Sequence, residues 1–196
     1  APFSEKEVFE AISQMKNNKA PGPDGFPAEF YKKCWHFIKG DLLPMFHDLF
    51  NGQLHLFKLN FGTITLLPKK TEAIRIEQFR PICLLNVSFK IFTKVGTNRL
   101  TQIAHSVVQP SQTAFMPDRN ILEGVVVLHE TLHEIHSKKL DGVVFKVDFE
   151  KAYDKVKWPF LQQALRMKGF DKAWRDHIES FMQKGSAGIK VNDDIG

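Results

Sequence analysis

Cysteine is nearly absent from this chain, and the shortage excludes a disulfide framework. Cys34 and Cys83 are the only two cysteines in 196 residues and form no CxxC pair, which suits a reducing compartment. Long apolar runs are missing too. No stretch approaches the ~20 residues that a membrane-spanning helix needs, and the first residues do not read as a signal peptide, so no membrane partner is expected. Tyrosine is scarce, 2 against 18 phenylalanines, which predicts cores filled with rings that carry no polar handle. Internal repeats and low-complexity tracts are lacking. What is present is ordinary for a globular protein, 43% hydrophobic and 25% charged residues. The length suffices for one domain with a sizeable core or for two small lobes. A net charge of +5 and a pI near 9.2 leave an anionic partner open without demanding one.

Periodicity predicts a mixed set of elements. Ser4 and Glu7 form a capping-box pattern, and Val8, Ile12 and Met15 follow at helical spacing. The three prolines and two glycines of "NKAPGPDGFP" (18–27) stop that helix. Two further helices are expected at about 28–38 and 41–50, ended by Gly40 and Gly52. "FGTITLLP" (61–68) and "FRPICLL" (79–85) read as strands, joined by a loop bearing Lys69, Lys70 and Arg75. Residues 88–104 suit a helix with Phe89, Phe92, Val95 and Leu100 on a buried stripe. A loop at 109–120 leads to a helix at 121–138, and Asp141-Gly142 turns the chain into a strand at 143–149. Trp158-Pro159 opens another helix, with Gly169 just past its end. Asp171 caps the next, and a last strand begins near Ile189. Strands and helices mix without regular alternation, which favours the α+β class.

The stretch "KVDFEKAYDKV" (146–156) poses the chemical question. Alternation along 143–149 puts Val143, Phe145, Val147 and Phe149 on one face, a wall of core. Val144, Lys146 and Asp148 fall on the other, more polar face. A carboxylate on a rigid strand suits a hard cation such as Mg²⁺, which takes oxygen donors. Equally, Asp148 suits a cap on the following turn or a pair with Lys146 or Lys151.

Several blocks together carry a resemblance. "GVVFKVDFEKAYDKVKW" is similar to motif A of reverse transcriptases from LINE-type, non-LTR retrotransposons, in the form common in plants. "KAPGPDGFPAEFYKKCW", "LLPKK", "FRPICLLNVSFKIFTKVGTNRL", "QTAFMPDRNILEGVVVLHE" and "GSAGIKVNDDIG" resemble the family's other blocks, in order and over nearly the whole chain. The resemblance implies the fingers and partial palm of a right-hand polymerase: residues 1–60 an N-terminal helical extension, 61–120 the fingers, 121–196 the start of the palm. It makes Asp148 a catalytic, metal-binding aspartate, joined by the backbone carbonyl of Phe149. In two-ion catalysis one ion activates the primer 3′ hydroxyl, and both stabilise charge as pyrophosphate leaves. Tyr153 takes the position that excludes a ribonucleotide 2′ hydroxyl, and Asp154 is read as structural. Lys69 and Arg80 match the basic residues that grip the triphosphate, Arg as a planar fork and Lys as a compact charge. Gln112, Phe115 and Arg119 lie in the block that approaches template and primer. "KAPGPDGFP" matches a loop that lies along the template, and is equally good as a rigid surface turn. RNA template, DNA primer, deoxynucleoside triphosphates and Mg²⁺ are the implied partners, in the nucleus if the element is active.

Two motifs invite other readings. "HETLH" (129–133) satisfies HExxH, with Glu150 downstream, but no metzincin continuation follows and no zinc is expected. "NDD" (192–194) resembles the paired aspartates of a polymerase hairpin but comes too early, and a hairpin turn is the better reading. Family members continue past the point matching Gly196 into a glycine-containing block and a hairpin with two adjacent aspartates. The chain is therefore expected to be a partial polymerase domain, inactive alone because Asp148 cannot by itself hold two ions. The alternative is a retrotransposon remnant that only binds nucleic acid or has no function.

Overall fold

The computed structural model describes residues 1–56, 59–149, 155–182, 185–191 and 194–195. The chain divides into two compact units, Ala1–Asn98 with Asp171–Gly196, and Arg99–Phe170. In the first, helix α1 (Glu5–Gln14) starts at the expected capping box. The Ser4 hydroxyl accepts from the Glu7 N–H at 3.3 Å, while the Glu7 carboxylate accepts from the Ser4 N–H at 2.8 Å. Val8, Ala11 and Ile12 form its buried face.

Helices α2 (Ala28–Lys33) and α3 (Trp35–Phe50) correct the expected boundary at Gly40. The break falls at Cys34 (φ −93°, ψ 10°), and α3 runs through both Gly40 and Pro44. Trp35, Leu42, Phe46 and Leu49 bury one stripe of α3, and that packing outweighs a helix-interior glycine's cost of ~1 kcal/mol.

Strands β1 (Phe61–Pro68) and β2 (Phe79–Leu85) form the expected hairpin, with Leu67 opposite Arg80 and Pro68 opposite Phe79. Helix α4 (Val87–Val107) follows. Its Phe92 stacks on Phe46 of α3, ring centroids 4.3 Å apart, at the centre of the core. Two more helices follow in chain order within the second unit, α5 (Ile121–Ser137) and α6 (Trp158–Met167). Back in the first unit, Asp171 caps α7 (Lys172–Met182), its carboxylate accepting from the Trp174 N–H at 2.7 Å. Strand β3 (Ser186–Val191) pairs in parallel with β1 and antiparallel with β4 (Asp194–Ile195), giving the order β2-β1-β3-β4. The flanks of residues 192–193 thus pair as a hairpin requires, although those two residues lie outside the described ones.

The second unit departs further from expectation. Residues 143–149 form no strand. Val143, Phe145, Val147 and Phe149, expected as a wall of core, are 67–85% exposed. A lone strand leaves its ladder unpaired and is not stable without neighbours. The later strand β3, which contains Ile189, is engaged by β1 and β4 among the described residues. On α5, Val125, Leu128 and Leu132 are likewise exposed, while Ile135 is half-buried.

Candidate functional site

The β1–β2 hairpin supplies the cations. Lys69 continues the ladder past β1, its N–H donating to the Gln78 carbonyl at 2.7 Å. That bond extends the register in which Leu67 faces Arg80, so Lys69 and Arg80 occupy the same face as diagonal neighbours. Lys70 falls on the opposite side of the alternation. The Lys69 ammonium also donates to the Glu77 carbonyl at 2.6 Å, which draws it in over the loop. Arg80 is exposed, with no hydrogen bond or ion pair to a described residue, and its guanidinium fork is available to an anion. Residues 61–120 carry eight lysines and arginines against three acidic residues, a surplus equal to the chain's whole net charge of +5. The two proline positions fit the sheet: Pro81 lies on the edge strand β2, and Pro68 lies beyond the stretch of β1 that pairs with β3.

In the second unit, Gln112, Phe115 and Arg119 share one loop. The Arg119 guanidinium donates to the carbonyls of Gln109 (2.6 Å), Gln112 (2.7 Å) and Val108 (3.2 Å). Arg119, expected in the block that approaches template and primer, thus also braces its own loop. The Gln112 amide donates to the Ala114 carbonyl at 3.0 Å. Phe115, held at φ 62° and 98% exposed, is the outlier. A left-handed phenylalanine costs of order 1 kcal/mol or more, and a ring wholly in water gains nothing from burial. Thr113, Asp118 and Asn120 join Phe115 and Arg119 around an open cavity of about 520 Å³.

Asp148 and Phe149 lie in the irregular, exposed stretch, and Asp148 has no hydrogen bond or ion pair with a described residue. Among the described residues no group of three or more His, Cys, Asp or Glu is placed to hold a metal. The donors that Asp148 and the Phe149 carbonyl offer suit a hard cation in kind, but they are too few for two ions. Tyr153, Asp154, Lys151 and Glu150 lie outside the described residues. His129, Glu130 and His133 line an exposed part of α5. Sequence reasoning missed Asn86, which joins β2 to α4 and touches the 22–26 loop. An asparagine just ahead of a helical run was its one signal, and it reads as a helix cap.

The reverse transcriptase (RNA-dependent DNA polymerase) family matches residues 67–193, well over half of the chain. The chain belongs to the reverse transcriptase family. Over 192 residues it is 28% identical to the "Transposon TX1 uncharacterized 149 kDa protein" of Xenopus laevis, covering 97% of this chain and 15% of that protein. It is 26% identical over 155 residues to the "Retrovirus-related Pol polyprotein from type-1 retrotransposable element R1" of Bradysia coprophila, covering 78% and 15%. It is 24% identical over 185 residues to the "Probable RNA-directed DNA polymerase from transposon BS" of Drosophila melanogaster, covering 93% and 19%. The chain thus spans less than a fifth of the length of these relatives. The ordered blocks are borne out as those of a reverse transcriptase domain with non-LTR retrotransposon relatives, and the α+β class holds. No described helix of this reverse transcriptase domain is long and apolar enough to cross a membrane.

Proposed function

We propose that this chain is the fingers and first part of the palm of an RNA-directed DNA polymerase from a plant non-LTR retrotransposon. The placement of Lys69 and Arg80 on one face of the matched hairpin carries the reading. In it, these two side chains grip the triphosphate of an incoming deoxynucleotide, and Gln112, Phe115 and Arg119 face template and primer. Residues 1–60 serve as the N-terminal extension, 61–120 as fingers and 121–196 as the start of the palm. Asp148 and the Phe149 carbonyl hold Mg²⁺ only together with two aspartates supplied by a further palm segment. The ion supplies Lewis-acid activation of the primer hydroxyl. This chain's own residues supply anion grip and, through Tyr153, exclusion of a 2′ hydroxyl. The element acts in the nucleus, on RNA template and DNA primer.

The test joins the chain to the downstream reading frame. That frame is expected to encode a Gln-Gly-containing block and an aromatic-Ala-Asp-Asp hairpin, and the joined protein to extend a DNA primer on an RNA template with Mg²⁺. Asp148→Asn is expected to abolish extension with the fold intact, whereas Tyr153→Val keeps extension and admits ribonucleotides. Normal extension by Asp148→Asn overturns the assignment.

A second reading is favoured by the charge surplus in 61–120: the chain alone binds nucleic acid. Its affinity for an RNA–DNA hybrid should then fall steeply with added salt, as phosphate contacts release counterions. Binding indifferent to salt counts against it.

A further inference from the structure

Asn86 stands between β2, which ends at Leu85, and α4, which begins at Val87. An asparagine there ordinarily caps its own helix through its side-chain oxygen. Among the described bonds that oxygen turns outward instead, accepting from the Asp24 N–H at 3.2 Å across 62 residues of sequence. The Asn86 carbonyl still begins α4, accepting from the Lys90 N–H at 3.2 Å. Backbone meets backbone at the same place. A Cβ on Gly22 would lie 2.4 Å from the Asn86 nitrogen and 2.6 Å from its Cα, so only glycine permits this approach. The loop is shaped to arrive there: the Gly25 N–H donates to the Gly22 carbonyl at 3.0 Å, and the Phe26 N–H to the Asp24 carboxylate at 3.1 Å. A second tie runs alongside. The buried Tyr31 of α2 lies beside Ser88 in the first turn of α4. Burial pushes the Tyr31 phenol up, the Asp24 carboxylate adds to this, and Ser88 pulls it back.

We propose that Asn86 is a positioning residue that clasps the 22–26 loop to the root of β2, so that the loop and the hairpin bearing Lys69 and Arg80 move as one body. A hydrogen bond alone would be a weak tether; the backbone contact at Gly22 and the Tyr31–Ser88 pair remove the freedom to slide. Its kinetic consequence rests on the polymerase reading above, since a loosened hairpin then grips the triphosphate less well.

Amide hydrogen exchange on the 196-residue chain tests the clasp without any activity. Asn86→Ala is expected to speed exchange about tenfold or more in both 22–26 and 79–85, leaving Val8–Ile12 and Leu42–Leu49 unchanged. Asn86→Asp keeps an oxygen acceptor and restores slow exchange. Gly22→Ala should give the same paired signature from the loop side, and it decides the matter if Asn86→Ala fails to fold. Faster exchange confined to 22–26, or spread over the whole unit, overturns the proposal. In the joined polymerase, Asn86→Ala should raise KM for deoxynucleotide about threefold or more with kcat within about twofold; equal loss in both overturns the positioning role. A joined parent that incorporates no nucleotide removes the polymerase reading and leaves the exchange result standing.

Discussion

The two units differ in what they do with their apolar side chains. In the first, Val8, Ile12, Phe46, Ile91, Phe92 and Val95 are within 1% of full burial and share one core. In the second, α5 and α6 have no buried residue, and Val127, Phe145, Phe160 and Met167 are 61–85% exposed. Composition does not explain this, since both units are rich in the same residue types. The difference lies in cover. The helices of the first unit find one another and the sheet, whereas most apolar side chains of α5 and α6 stay exposed or at most half-buried.

The largest effect should come from breaking the first unit at its centre. Phe92→Ala removes a fully buried ring stacked on Phe46 and is expected to cost about 3–5 kcal/mol. Val127→Thr on exposed α5 should change stability by no more than about 0.5 kcal/mol. Urea midpoints of the two variants measure the contrast. Comparable losses would mean that the second unit has a closed core after all.

The same contrast explains what could be read in advance. Elements set by local chemistry were legible: the Ser4–Glu7 box, the Asp171 cap, the turn at Gly169 with φ 84°, and the two hairpin strands. Elements set by distant partners were not. The pattern of 143–149 is that of a strand, but a strand is a property of a pair, and β3 pairs with β1 instead. Gly40 looked like a stop, yet Leu42, Phe46 and Leu49 carry α3 through it. At the site, the shared face of Lys69 and Arg80 follows from alternation. The Arg119 brace and the left-handed Phe115 depend on where a loop's carbonyls converge, for which no residue pattern stands.

An intermediate effect tests whether α7 belongs to the first unit's closed packing. Its Phe181 lies over Gly96 of α4, where a Cβ would come within 2.7 Å of the ring. Asp171→Ala strips the cap from this helix and should cost about 1 kcal/mol. Exchange should quicken in the first turn of α7, with the Gly96 contact retained. A global loss as large as that of Phe92→Ala would make α7 a keystone of the core and erase the ranking.

The smallest effect is electrostatic and sits at the edge of the first unit. Glu29, in the first turn of α2, accepts from the Asn18 N–H through its Oε1 and so holds Asn18 in a left-handed turn at φ 55°. That hydrogen bond holds the carboxyl below its ordinary value of 4.5; the Glu29 N–H assists, desolvation opposes, and Lys32 and Lys33 add smaller help. A carboxyl whose value is lower when folded stabilises the fold at pH above the unfolded value. The contribution disappears as pH falls through the folded value. Stability of the parent should therefore drop more steeply than that of Glu29→Gln between about pH 5 and pH 3, the two curves converging at the acid end. The remaining carboxylates are common to both proteins, so the difference between the urea midpoints isolates Glu29. Midpoints that stay parallel across the whole range would show that the Asn18 turn stands without the charge, and that the first unit's edge is as indifferent to its local ties as the second unit's exposed face.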